Sequence, residues 1–234
     1  MAAVTITPIE GVAEAKPGDD VAALIGDAIE TGTTLEDGDV LVVTHKLISK
    51  AEGRVVELPD DGPDSHRYLV EQEAARIIRR RGPLVIAQTR HGFICANAGV
   101  DRSNAGHARA ILLPEDPDRS ANRLRLRLQH RFGVTIAVVV TDTFGRVWRR
   151  GLVDVAIGVA GMEAIDDLRG TVDTFGRPLE VSEVAVVDEV AGAADLVMGK
   201  ATGIPAAIVR GVSWKPSEAG IAPLIRPAGE DMFR

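Results

Sequence analysis

A single cysteine, Cys95, serves all 234 residues. No internal disulfide and no multi-cysteine zinc site can be built from it, a usage that fits a reducing compartment. Aromatic residues make up only 3% of the chain. Any core must therefore rest on Val, Ile, Leu and Ala, and at this length it can be buried without staples. No uninterrupted apolar run is long enough to cross a bilayer. The opening MAAVTITPIE has no basic stretch followed by an apolar one, so a signal peptide is not expected. Positive charge is also short: 27 basic residues against 34 acidic give a net charge of −7. That excludes a generic nucleic-acid binder, which needs a basic face. The expectation is a soluble, cytoplasmic, aliphatic-rich protein with neither nucleic acid nor membrane as partner.

What is present is an alternation of short β-branched runs with helical patterns, which predicts mixed α and β structure. Strands are expected at Asp39–Thr44, Arg54–Leu58, Leu84–Thr89, Thr135–Thr141 and Ala206–Val212. The runs VLVVT, IAVVV and AAIVRGV are apolar on both faces and should be covered on both sides. Helices are expected from Asp19 and Asp20 to about Glu30, over Arg67–Arg81, and over Val184–Val197. The segment NRLRLRLQHRFG alternates like a strand but keeps helical spacing at Leu124, Leu128 and Phe132. Gly133 supplies a stop, so helix is preferred. Turn-forming stretches at Pro59–Ser65 and Pro114–Ser120 read as surface connections within a fold. The stretch after Trp214 is Pro-rich and is expected to be loosely held.

Four segments could carry chemistry. In VVVTDTFGRVWRRG, residues 138–151, a buried strand is expected to end at Thr141-Asp142-Thr143, with Phe144-Gly145-Arg146 turning the chain. Oxygen ligands there suit a hard cation, and Arg146, Arg149 and Arg150 suit anionic substrates. Equally, Asp142 could cap a turn and the arginines could form a solvated face. In NAGVDRSNAGH, residues 97–107, Asp101 could bind metal and Asn104 a phosphate or base, although this is also the composition of a plain surface loop. In THKLISKAEGR, residues 44–54, Lys46 and Lys50 follow a strand end and could hold phosphate, or could simply face solvent. In LVMGKATGIP, residues 196–205, Gly199-Lys200 resembles a phosphate loop. It is not a Walker motif, because position 194 is Ala where glycine is needed and position 201 is Ala. The five histidines show no metal-ligand spacing, and Cys95 reads as a small buried hydrophobe rather than a nucleophile.

Taken together, PIEGVAEAKPGDD, VTHKLISKAEGR, AGVDRSNAG, VVTDTFGRVWRRGLVDVAIGVAGM and ADLVMGKATGIPAAIVRG resemble, in order, the coenzyme F420-0:L-glutamate ligases, the γ-glutamyl ligases of deazaflavin cofactor biosynthesis. The resemblance covers about Pro8 to Gly211. It implies an α+β fold of two interlocked subdomains with mixed sheets, a ligase domain over residues 1–213, and a tail or junction to a second domain over 214–234. It also implies a GTP-driven reaction in which L-glutamate, and later further γ-linked glutamates, join F420-0 through an acyl phosphate. By resemblance, Asp101, Asp142 and Thr143 match divalent-metal ligands, for Mg²⁺ or Mn²⁺. Val12, Ala13, Glu14, Ala15, His45, Lys50 and Asn104 match nucleotide contacts. So do Met198, Gly199, Lys200, Ala201, Thr202, Gly203, Ile204 and Pro205. Asp142 and Lys50 are the expected catalytic pair, and His45 departs from the serine that relatives often carry. The resemblance further implies a homodimer and a monovalent cation, K⁺, that nothing in the sequence locates. Two rivals are a nucleotide- or F420-binding module without turnover and a metal-assisted phosphate-ester hydrolase.

Overall fold

The computed structural model describes residues 3–232. In chain order the elements are β1 (Thr5–Pro8), α1 (Val21–Gly32), β2 (Val40–Thr44), α2 (His45–Ala51), β3 (Val55–Glu57) and α3 (Pro63–Glu73). Then come β4 (Ala74–Arg81), β5 (Leu84–Thr89), β6 (Ile94–Ala96), β7 (Arg109–Ile111), α4 (Pro117–Phe132) and β8 (Ala137–Arg146). The last are β9 (Arg149–Ala160), β10 (Asp166–Asp167), β11 (Glu183–Val184), α5 (Val186–Met198) and β12 (Ala206–Arg210). The fold class is α+β, as expected.

The main sheet has the order β1-β12-β2-β8-β9, with β2 and β8 parallel and the other neighbours antiparallel. Its three apolar strands, β2, β8 and β12, are buried at consecutive positions, as two-sided burial requires. Helices α4 and α5 both pack on β9, and α1 lies against α4. Helix α1 starts where the Asp20 carboxylate accepts the Ala22 N–H. Helix α4 starts with Asp116 accepting from Arg119 N–H, carries Pro117 in its first turn and stops at Gly133, which adopts φ +67°. The expected helix over NRLRLRLQHRFG is therefore present, and longer than expected.

A second, smaller core joins Leu58, Val70, Val85, Ala87, Ala98, Val100, Ala110 and Leu112. It sits among α3, the β4-β5-β6 sheet and the β3-β7 pair. The chain thus leaves the large sheet after α2, builds the small core, and returns at α4.

Three expectations are corrected. Residues 67–81 are not one helix: α3 stops at Glu73 and Ala74–Arg81 is a strand paired with β5. The adjacent apolar pairs Ala74-Ala75 and Ile77-Ile78 satisfied helical spacing by accident. The Gly82-Pro83 turn, with Gly82 at φ +57°, is what joins the two strands. The chain also does not turn at Phe144-Gly145-Arg146, because β8 continues to Arg146 and turns only at Val147 and Trp148. Finally, the stretch after Trp214 is tied down through Ile221. Trp214 Nε1 donates to the Gly38 carbonyl at 2.9 Å, and buried Ile221 donates its N–H to the Asp118 carboxylate at 3.1 Å.

Candidate active-site cleft

Strand β2 ends at Thr44, opposite Thr141 of its parallel neighbour β8, which runs on to Arg146. Ligands of open α/β sheets bind beyond such carboxyl ends. Here lies a cleft of about 540 Å³. Val12, Ala13 and Glu14 enter it from the loop after β1, Thr44, Lys46, Leu47 and Lys50 from the β2–α2 junction, and Asn104 and Gly106 from the 101–108 loop. Thr143 and Asp154 come from β8 and β9, and Asp195 and Met198 from α5. Gly199, Lys200, Ala201, Gly203, Ile204 and Pro205 complete the lining.

Most of the expected contacts therefore converge on one cavity. Ala15, His45, Thr202, Asp101 and Asp142 are not part of its lining. Ala15 is buried, and the Thr202 hydroxyl folds back to donate to the Met198 carbonyl, which shapes the 199–205 loop. Sequence reasoning missed Asp154 and Asp195, and weighed Lys46 only beside Lys50 as a phosphate-holding or solvent-facing lysine. A lone acid in the apolar run LVDVAIGVA was a legible sign of Asp154, whereas Asp195 had no sequence signal.

The lysines emerge from α2, where positions 46 and 50 lie one turn apart on one face. Lys46 Nζ reaches Asp101 Oδ2 at 2.8 Å and Ser103 Oγ at 2.9 Å. Asp101 also accepts the Ser103 N–H at 2.6 Å and its hydroxyl at 2.9 Å. Burial alone would raise the Asp101 carboxyl, but Lys46 and Ser103 outweigh it and hold it below the usual range. Lys50 pairs with Glu14. Asn97, Ala98, Asn104 and Ala108 all take positive φ, between 49° and 56°. Such left-handed non-glycine backbone concentrates at functional segments.

On β8, alternation sends Asp142 and Thr143 to opposite sides of the strand. Asp142 faces His45, whose imidazole is fully buried. His45 Nε2 lies 3.3 Å from Asp142 Oδ1 without hydrogen-bond alignment, and Nδ1 lies 3.3 Å from Ser49 Oγ. His45 thus reaches the cleft only through its neighbours. Burial, with the Asp142 charge added, pushes the Cys95 thiol up to about 12, which removes it as a nucleophile. On the other side, Asp154 accepts the Thr141 hydroxyl at 3.0 Å and the Thr143 hydroxyl at 2.7 Å. Burial, helped by the charges of Asp195 and Asp142, raises its carboxyl despite those donors.

Among the described residues no three His, Cys, Asp or Glu side chains form a ready-made metal cage. The oxygen donors nonetheless fit a Mg²⁺- or Mn²⁺-type ion, which keeps several positions for water and phosphate. Asp142 is only 11% exposed, and among the described residues its one hydrogen-bond donor is the Thr143 N–H. That carboxylate is left under-neutralised, as a cation ligand is.

The α+β scaffold thus gathers lysines and oxygen acids in one cleft beside the end of β2. Residues 11–211 match the family described as F420-0:Gamma-glutamyl ligase, and the chain belongs to that family. It is 43% identical over 249 residues to the Coenzyme F420:L-glutamate ligase of Methanothermobacter thermautotrophicus, covering 99% of each chain. It is 42% identical to the protein of that name from Methanopyrus kandleri, over 98% of this chain and 97% of that one. The Archaeoglobus fulgidus protein of the same name is 38% identical, over 99% and 96%.

Proposed function

We propose that this chain is a GTP-dependent ligase that joins L-glutamate to coenzyme F420-0 and extends the product with γ-linked glutamates. The observation that carries the reading is the convergence of these residues on one cleft. Residues expected to contact nucleotide gather there on a chain whose relatives are named for this ligation.

A carboxylate is a poor electrophile, so it must first gain a leaving group. An oxygen of the acceptor carboxylate attacks the γ-phosphorus of GTP, and GDP departs with the bond's electron pair. The amine of glutamate then attacks the acyl carbon, inorganic phosphate departs, and the amine sheds its proton as the amide forms. Positioning and charge neutralisation are the protein's task in such transfers. Lys46, Lys50 and Lys200 supply positive charge to phosphates. The glycines at 199 and 203 let backbone approach them closely. A divalent ion held by Asp101 and Asp142, with Thr143 reached through its backbone since its hydroxyl is turned to Asp154, would supply further neutralisation of phosphate oxygens when bound. Its arrival at Asp101 would compete with Lys46, freeing that ammonium for phosphate. Cys95, His66 and His130 have no part in the scheme.

The test is isotopic. F420-0 labelled with ¹⁸O in the acceptor carboxylate, incubated with GTP, Mg²⁺ and L-glutamate, should deliver one labelled oxygen to the released phosphate. Amide product formed with unlabelled phosphate would refute the acyl-phosphate route, and tight GTP binding without any product would favour a binding module.

A further inference from the structure

Asp195 sits in the last turn of α5, three residues before the helix ends at Met198. A carboxylate there opposes the helix macrodipole, whose carboxyl end is already negative. Its charge also bears on Asp154, so two like charges share this part of the cleft. Among the described residues its carboxylate has neither a hydrogen bond nor an ion pair to offset these costs. Glu14, the other acid of the lining, is by contrast paired with Lys50. A residue that breaks local electrostatic rules without compensation marks a functional constraint more often than a packing one.

The ligase reading supplies a matching ligand. Phosphates and carboxylates dominate its substrates, and the α-ammonium of free L-glutamate is the cationic group among them. We propose that Asp195 is the recognition point for that α-ammonium, holding it beside the activated carboxyl carbon, where it loses one proton to solvent and attacks as the free amine. The inference rests on the ligase reading and deepens it by assigning a specificity residue.

An ammonium fits this position better than a metal. A single free carboxylate matches a monocation with N–H donors, whereas a hard dication needs several oxygen ligands. Asp154, the neighbouring acid, already receives hydroxyls from Thr141 and Thr143. Lys46 and Lys50 reach the cleft from α2, on elements apart from the β9–α5 pair that carries the acids.

The experiment compares the wild type, Asp195→Asn and Asp195→Glu in steady-state ligation, varying L-glutamate, GTP and Mg²⁺ separately. Glutarate, the same carbon chain and carboxylates without the amine, serves as competitive inhibitor. A charge-assisted hydrogen bond of the usual strength predicts a rise of roughly 10- to 100-fold in the KM for glutamate in Asp195→Asn. KM for GTP, Mg²⁺ dependence and glutarate inhibition should not change, and thermal stability should hold or rise. Asp195→Glu, which keeps the charge, should recover part of the loss. An unchanged KM for glutamate overturns the inference while leaving the ligase reading intact. So does equal weakening of glutamate and glutarate, or a displaced Mg²⁺ dependence. Absence of amide product from the wild type defeats the ligase reading, and the inference with it.

Discussion

Asp142 is poised between two buried groups, His45 at 3.3 Å and the raised thiol of Cys95, and its own carboxylate has few donors. Replacing one carboxylate oxygen by an amide keeps the volume but removes the charge. Asp142→Asn should therefore cost at least about 100-fold in turnover, the equivalent of about 2.7 kcal/mol. Its circular dichroism and melting temperature should stay near those of the wild type, and near-normal turnover would sink the metal assignment. At this scale the sequence was readable in part. Asp101, Asp142, Thr143 and Lys50 stood out through resemblance and local chemistry. Asp195 did not, because one acid in the amphipathic run of α5 looks like any solvated position until the helix is placed against β9.

At the scale of elements, α4 and β9 approach closely. A Cβ on Gly158 would come within 2.6 Å of Pro117 backbone, so nothing larger than glycine fits without moving the helix. Gly158→Ala should lower stability by about 1–3 kcal/mol, read from the denaturant midpoint. Asp118, one residue into the same helix start, accepts N–H groups from Val159 at 2.7 Å and from Ile221 at 3.1 Å. Burial raises its carboxyl above the usual value, outweighing those donors. A raised acid is ionised less readily in the folded than in the unfolded chain. Its contribution to stability therefore falls as pH rises through the carboxylate range and returns on acidification. Asp118→Asn keeps an oxygen acceptor and should remove this contribution. The stability gap between wild type and variant should then shrink from neutral pH to the mildly acid range, as measured by chemical denaturation at each pH. Elements were legible where one pattern dominated, as in the apolar runs of β2, β8 and β12. They were misread where patterns overlapped, as in β4, whose Arg-rich face and paired apolar residues mimic a helix until the hairpin with β5 decides.

For the whole molecule, the hairpin of β8 and β9 extends past the cleft and exposes Val147 at 84% and Leu152 at 57%, beside Arg146, Arg149 and Arg150. A homodimer, which the family resemblance implies, would have this apolar tip to cover. Light scattering should report a dimer, and the double variant Val147→Asp with Leu152→Asp should shift it toward monomer. Among the described residues no helix is long and apolar enough to cross a membrane. Net charge, legible from composition, excluded one class of partner. It was silent about a cleft where Lys46, Lys50 and Lys200 meet Asp154 and Asp195, since that grouping exists only after distant segments fold together. The interleaving of the two cores was expected only through the family resemblance, because it depends on which strands pair across the excursion from β3 to β7. The most direct measurement is mass spectrometry of F420-0 incubated with the chain, GTP, Mg²⁺ and L-glutamate. The account predicts products heavier by one or more glutamyl units, formed only when GTP is present. GTP hydrolysis with F420-0 unchanged in mass would contradict it.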